Sequence, residues 1–204
     1  MISSKKELHF YITADRVMAG KAEKKALKEY ITDFFKADDI LGYQRSMRKV
    51  AYYKNTSKKG PGYFYHNWKF KKLGVRLGFS IGYNVFGYGL LIPHYGTIVI
   101  NEHTKAGNFC VLHTATCIGG EGKKIGDALY LSSGAQIMGN EVELGNNISI
   151  AANSMVNKSF AGSNLLLVGM PAAVKKELPA WYGESGKYAS RVKRIEELRA
   201  KFIA

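Results

Sequence analysis

Between Phe86 and Val156 the chain repeats itself about every six residues. Aliphatic, aromatic or small side chains stand at Phe86, Ile92, Ile100, Ala106, Leu112, Ile118, Ile125, Leu131, Ile137, Leu144, Ile150 and Val156. Glycine follows several of them (Gly87, Gly107, Gly119, Gly126, Gly145), and the place four residues on is often small or apolar, as at Thr104, Cys110, Thr116, Leu129, Ala135, Ile148 and Ser154. A helix requires a period of 3.6 and a half-buried strand a period of 2. A sustained period of six satisfies neither and is the hexapeptide form of a parallel β-helix, in which each unit is a short strand plus a corner. One side chain per unit points inward and stacks on the next coil, and the glycine lets the backbone pass the corner without a Cβ clash.

The frame slips three times. Two extra residues lodge within Pro93-His94-Tyr95-Gly96-Thr97, one between Ile118 and Ile125, and one between Ile137 and Leu144. Extra residues in a β-coil bulge outward and re-aim side chains, often beside active sites. Three units make one coil, so Ile92 and Leu112 fall one coil apart. His94 follows the first by two places and His113 follows the second by one. The two imidazoles are therefore expected at one corner of adjacent coils, roughly 5 Å apart along the axis.

The remainder of the chain reads differently. Ser4-Lys5-Lys6-Glu7 has capping-box spacing ahead of a helix that ends near Gly20. A second helical pattern runs from about 22 to 36. A third, capped by Asp38 or Asp39, runs through Ile40, Met47 and Ala51, and a fourth from Tyr63 to Leu73 is stopped by Gly74. The expected division is a helical region over 1–76, the β-helix over 77–173, and a tail over 174–204. At the end of the β-helix Leu165–Val168 is the last strand of the coils and residues 169–173 turn the chain out, and in the tail a basic helix from about 187 to 202 is a solvated or docking element.

Charge follows the same division. The chain carries a net +14, nearly all of it on the head and tail, with the β-helix close to neutral. Such a balance suits phosphates, anionic lipid headgroups or acidic sugars, or serves solubility alone. Between Arg45 and Lys72 the basic residues alternate with Tyr52, Tyr53, Tyr63, Phe64, Tyr65, Trp68 and Phe70. Packing between helices is the first reading of these aromatics. Contact with the inner face of a membrane is the second, and nucleic acid is not expected. No apolar run is long enough to span a bilayer, and the N-terminal stretch has no continuous apolar segment of a signal peptide. Two cysteines, Cys110 and Cys117, make no disulfide framework. A cytoplasmic setting is the simplest expectation.

Specific motifs carry a resemblance. Gly87-Tyr88-Gly89-Leu90-Leu91-Ile92-Pro93-His94, Ile98-Val99-Ile100, Leu112-His113, Gly119-Gly120-Glu121-Gly122-Lys123, Ile150–Val156 and Gly169-Met170-Pro171-Ala172 resemble the hexapeptide-repeat acyltransferases, within them the serine acetyltransferase-like group. The resemblance covers about residues 79–175. It implies a left-handed coil, a homotrimer with active sites between subunits, and acetyl-CoA as donor. It implies that His94 is the catalytic base; His113 is a second candidate catalytic residue, or else lines the pocket. The pantetheine arm of the cofactor is expected to pass Gly119, Gly120, Ser133 and Ala151, and its phosphates to meet Lys158, Lys175 or Lys176. A hydroxyl is a poor nucleophile at neutral pH, and an imidazole is the natural base for it. No metal is expected, since no histidine has companions at ligand spacing. His9, His66 and His103 have no such context.

The departures bear on the acceptor. Phe79 stands fifteen residues before His94, where the serine enzymes carry an aspartate. Pro93 stands where they carry an acid. The loop that should hold the serine carboxylate is reduced to Glu121-Gly122-Lys123-Lys124. A sugar hydroxyl in surface polysaccharide biosynthesis is therefore the leading expectation, with Tyr83, Phe86, Tyr88 and Tyr95 suited to a sugar face. Free L-serine is the alternative, and a non-catalytic scaffold the remote one.

Overall fold

The computed structural model describes residues 1–24, 38–183 and 185–203. Among these residues helices α1 (Lys5–Met18), α2 (Asp39–Asn55) and α3 (Pro61–Leu77) precede thirteen short strands, and α4 (Gly186–Ile203) follows them. The helix expected over 22–36 lies, but for its first residues, outside the described residues. The strands wind into a parallel β-solenoid of about five turns.

Three flat faces make up the coil. The first holds β1 (Phe79–Ile81), β2 (Ile98–Ile100), β5 (Thr116–Ile118), β8 (Gln136–Ile137) and β11 (Met155–Val156). The second holds β4 (Val111–Leu112), β7 (Tyr130–Leu131), β10 (Ile148–Ile150) and β12 (Leu165–Gly169), and the third β3 (Lys105–Ala106), β6 (Lys124–Ile125) and β9 (Glu143–Leu144). The register stacks like on like: Ile100 on Ile118, Ile118 on Ile137, Leu112 on Leu131. These inward side chains are almost fully buried. Burying a leucine or isoleucine stabilises by about 1.5–3 kcal/mol, so the column is the principal source of stability in this part of the chain.

The corners work in a way the period does not reveal. Gly107 does not itself adopt a left-handed conformation. It is required because a Cβ there would meet the backbone of Gly126 and Asp127 in the next coil at 2.8 Å. The left-handed turns fall on other residues, many of them not glycine: Phe109, Ala128 and Asn147 have φ of 58°, 58° and 57°. Along the same corner Asn108, Asp127 and Asn146 form a ladder, the side-chain oxygen of each accepting from a backbone N–H one coil back: Tyr88 to Asn108 at 3.2 Å, Asn108 to Asp127 at 2.7 Å, Asp127 to Asn146 at 2.8 Å.

The helical head is fused to the first coil by a buried ion pair. Arg48 on α2 donates to Asp15 on α1 at 2.8 Å, and also to the carbonyls of Phe86 and Gly87 at 2.7 and 2.6 Å. Asp15 in turn accepts the Leu90 N–H at 3.0 Å, while Gln44 donates to the Leu90 carbonyl at 2.8 Å. Tyr43, Met47, Leu73 and Leu77 join the solenoid core directly.

Several expectations are corrected. Gly74 does not stop α3, which runs three residues further to a left-handed cap at Gly78; Gly74 instead gives room to the Phe79 carbonyl and the Tyr43 ring. Residues 169–173 do not lead the chain away. They reverse it into β13 (Ala172–Glu177), antiparallel to β12. Of the two readings of the C-terminal helix, docking is the one found: Ile195 and Leu198 are buried against α1 and the second face with Phe10, Val17, Leu91 and Val111. The aromatics between 52 and 70 divide, with Tyr52 and Phe70 packed inward but Phe64, Tyr65 and Trp68 exposed. Among the described residues no helix is long and apolar enough to cross a membrane.

Candidate active site

The bridge between Leu91 and Val111 puts Ile92 directly beneath Leu112, so the loops after them share one corner of the solenoid. His94 leaves that corner exposed on the two-residue bulge, and His113 lies half-buried one coil on. They are close enough that the charge of His94 acts on His113. Burial, and after it that charge, holds the His113 imidazole below its ordinary range. The backbone here is fixed: the His113 N–H donates to Leu131 O at 3.0 Å, and its carbonyl accepts from the Thr116 hydroxyl at 2.8 Å.

One wall of the corner comes from a part of the chain with no repeat. The His113 ring lies 5.0 Å from Tyr130, Tyr130 lies 6.2 Å from Trp181, and the Trp181 indole donates to Phe109 O at 2.9 Å. Nothing in the periodicity marks Trp181. Its signal is only that an aromatic-rich stretch follows the last strand.

The other expected site residues separate into two groups. Ser133 and Ala151 continue the histidine corner: the Gly134 N–H donates to Thr114 O and the Asn153 N–H to Ser133 O, which stacks the turns at 114, 133 and 153. Gly119 and Gly120 lie across the first face, at its far edge, about 10 Å away by strand rise. There the loops stack as Gly120 on Gly139, and the Glu121 N–H donates to Asn140 at 3.0 Å. Lys158 is exposed just past β11, beyond those loops, and Lys175 is exposed on β13. Within one chain the glycine pair and the histidine pair therefore do not meet.

Three of the four aromatics expected at a sugar face are elsewhere. Phe86 is core, Tyr88 is buried and donates to Glu196 at 2.8 Å, and Tyr83 lies under Lys54. Only Tyr95, 74% exposed, stands beside His94. Phe79 is buried edge-on against Tyr43 at 5.3 Å, so that place packs the core and offers no carboxylate. A groove of about 900 Å3 between α3 and the first face, lined by Ser80, Val99, Glu102, His103 and Glu121 among others, includes neither imidazole. Among the described residues no three His, Cys, Asp or Glu side chains stand together as metal ligands.

A parallel solenoid with helices before and after it is the fold of the solved serine acetyltransferases. The chain superposes on the enzyme of Brucella abortus strain S19 with a TM-score of 0.62 at 18% identity, over 84% of this chain and 69% of that one. A serine acetyltransferase in complex with CoA superposes with a TM-score of 0.58 at 20% identity, over 80% and 67%. In sequence it is similar to the serine acetyltransferase of Synechococcus elongatus, 30% identical over 95 residues. That stretch is 43% of this chain and 38% of the relative, so the chain spans well under half of the curated protein it matches. No family model matches it.

Proposed function

We propose that the chain transfers an acetyl group from acetyl-CoA to an acceptor hydroxyl, with His94 as general base. The observation that carries this is an exposed imidazole on a bulge of the coil, beside a second imidazole biased toward its neutral form. His94 takes the hydroxyl proton as the oxygen attacks the thioester carbonyl. The tetrahedral intermediate then expels the CoA thiolate, and the protonated imidazole returns the proton to sulfur. His113, kept neutral, adds no second charge that would oppose protonation of His94.

The intermediate's oxyanion needs N–H donors, and the candidate donors at Gly119 and Gly120 sit at the opposite edge of the first face. A homotrimer supports both requirements, with the glycine loop of one copy against the histidine corner of the next. The first face is open to such contact, with Val99 exposed and Cys117 half-exposed on it, whereas α1 and α4 cover the second and the third, also open, shows the charged pair Lys124 and Glu143. The pantetheine arm would follow Ser133 and Ala151, and the CoA phosphates would meet Lys158 and Lys175.

For the acceptor, the similarities favour L-serine. The second reading, a saccharide hydroxyl, rests on Phe79 and Pro93, which leave no carboxylate to orient His94 or hold a serine ammonium. Thiol release from acetyl-CoA, followed with L-serine and with a panel of sugars, tests both. Turnover of serine at kcat/KM of about 10⁴ M⁻¹s⁻¹ or more with none on sugars is the expected result, and turnover confined to sugars overturns it. His94→Ala should lower turnover by about 10²–10⁴ with CoA binding retained. Near-normal turnover in that variant removes His94 from the chemistry.

A further inference from the structure

Helix α3 is bound to the protein through Phe70, Leu73 and Leu77, and its opposite side is bare. There Phe64 is 62%, Tyr65 53%, Trp68 56% and Val75 86% exposed. At 100° per residue, Phe64, Trp68 and Val75 fall within about 40° of one another, and Tyr65 and Lys72 follow next around the helix. A docked surface helix ordinarily turns a polar face to water. This one presents a second apolar stripe, and cations border it on both sides: Lys71 on one, Lys69, Lys72 and Arg76 on the other.

Among the described residues no carboxylate is paired with most of that charge. The sequence has no Asp or Glu between Asp39 and Glu102, and of these cations Arg76 reaches Asp39 at 3.1 Å. The Lys72 ammonium lies 4.9 Å over the Trp68 ring, and Tyr65 connects Trp68 to His66 at 6.3 and 4.9 Å. His66 Nε2 is 2.9 Å from the Lys49 ammonium, and its Nδ1 is buried with no partner. Burial, followed by the charges of Lys49, Arg45 and Lys69, lowers His66 to about 4, so a positive cluster continues onto α2.

We propose that α3 is a membrane-surface helix, with Phe64, Trp68 and Val75 entering the headgroup boundary of an anionic bilayer and Arg45, Lys49, Lys69 and Lys72 meeting its phosphates and carboxylates. Aromatic and basic residues on one exposed helix face are the composition of interfacial helices, and an anionic leaflet supplies the missing negative charge. A nucleic-acid strand matches the charge but not the stripe: single strands follow a charged groove and stack on rings, whereas this stripe includes the aliphatic Val75, and the groove that Val75 borders carries the carboxylates of Glu102 and Glu121. A second copy seated α3 on α3 would set cations against cations.

The test uses the full chain and vesicles of phosphatidylcholine with and without phosphatidylserine. Co-sedimentation with the mixed vesicles, lost in high salt and absent with phosphatidylcholine alone, is expected, together with a blue shift of Trp68 emission. Phe64→Ser with Trp68→Ser, and separately Lys69→Glu with Lys72→Glu, should each reduce partitioning by about tenfold or more. Unchanged partitioning in both variants overturns the proposal. So does a wild-type chain that ignores both vesicle types, whether it retains a single-stranded oligonucleotide instead or loses self-association in the Phe64 and Trp68 variant. The outcome is independent of the acetyl-transfer reading, because no residue changed lies at the histidine corner.

Discussion

His113 is the residue through which the candidate site can be interrogated without a substrate. Two causes lower its pKa, burial first and the charge of His94 second. Removing the second should raise it: in His94→Ala the His113 ring should titrate higher than in the intact chain, read from its imidazole proton resonances, while burial keeps it under 6.5. An unchanged titration would mean that the two rings do not interact. His66 gives a prediction in stability. Its folded value of about 4 lies below the unfolded 6.5, so the unfolded chain binds more protons between them. Stability should therefore fall as pH drops from about 6.5 through about 4, and His66→Gln should flatten that part of the curve with little effect at pH 7. The histidine pair was legible in the sequence because a coil is a ruler: count three units and two residues face each other. Lys123 was not. The unit pattern makes its place an ordinary corner, yet it is buried, its ammonium donating to the carbonyls of Gly139 and Glu121. Those acceptors exist only because the inserted residues of two successive coils stack, and no single unit announces that.

At the scale of elements, the clamp between α1, α2 and the first coil should behave as one unit. Burial raises the Asp15 carboxyl and Arg48 opposes that rise, so Arg48→Met alone leaves Asp15 buried without its counter-ion and strips two carbonyls of a donor, a loss of about 3–5 kcal/mol. Asp15→Leu with Arg48→Met should recover part of it, and chemical denaturation of the three proteins would show whether it does. Gly120 makes a second case. It is left-handed at φ 80°, and a Cβ on it would collide with the Gly139 carbonyl oxygen. Gly120→Ala should destabilise by about 1–3 kcal/mol, more than a change at the exposed Ser133. The strands and inward columns could be read directly, since period and apolar identity coincide in them. The corners could not, because left-handed conformations on Phe109, Ala128 and Asn147 are imposed by the stacking of coils and not by local preference. Gly74 misled for the opposite reason: it is small to admit a neighbouring backbone, which looks in sequence like a helix stop.

For the molecule as a whole, a CoA-binding reading carries a thermodynamic signature. A ligand held by the folded state at one hundred times its Kd stabilises by about 2.7 kcal/mol, so thermal unfolding should shift upward with CoA and not with adenosine alone. Sedimentation that finds only monomer at micromolar concentration would remove the arrangement proposed between copies. The end of the solenoid has a different consequence. A stack of parallel strands is a template, and each coil is the crystal face on which the next is laid down, so nothing in the repeat itself says where growth ends. Here β13 ends it, running backward along β12 with an irregularity at Leu166 and Leu167 and showing Lys175, Lys176 and Glu177 to water. Charged, bulged edges refuse a further strand. Replacing Lys176 and Glu177 together by valine should leave the fold intact yet allow chains to add end to end, so that a clear solution would thicken into filaments seen by light scattering and electron microscopy.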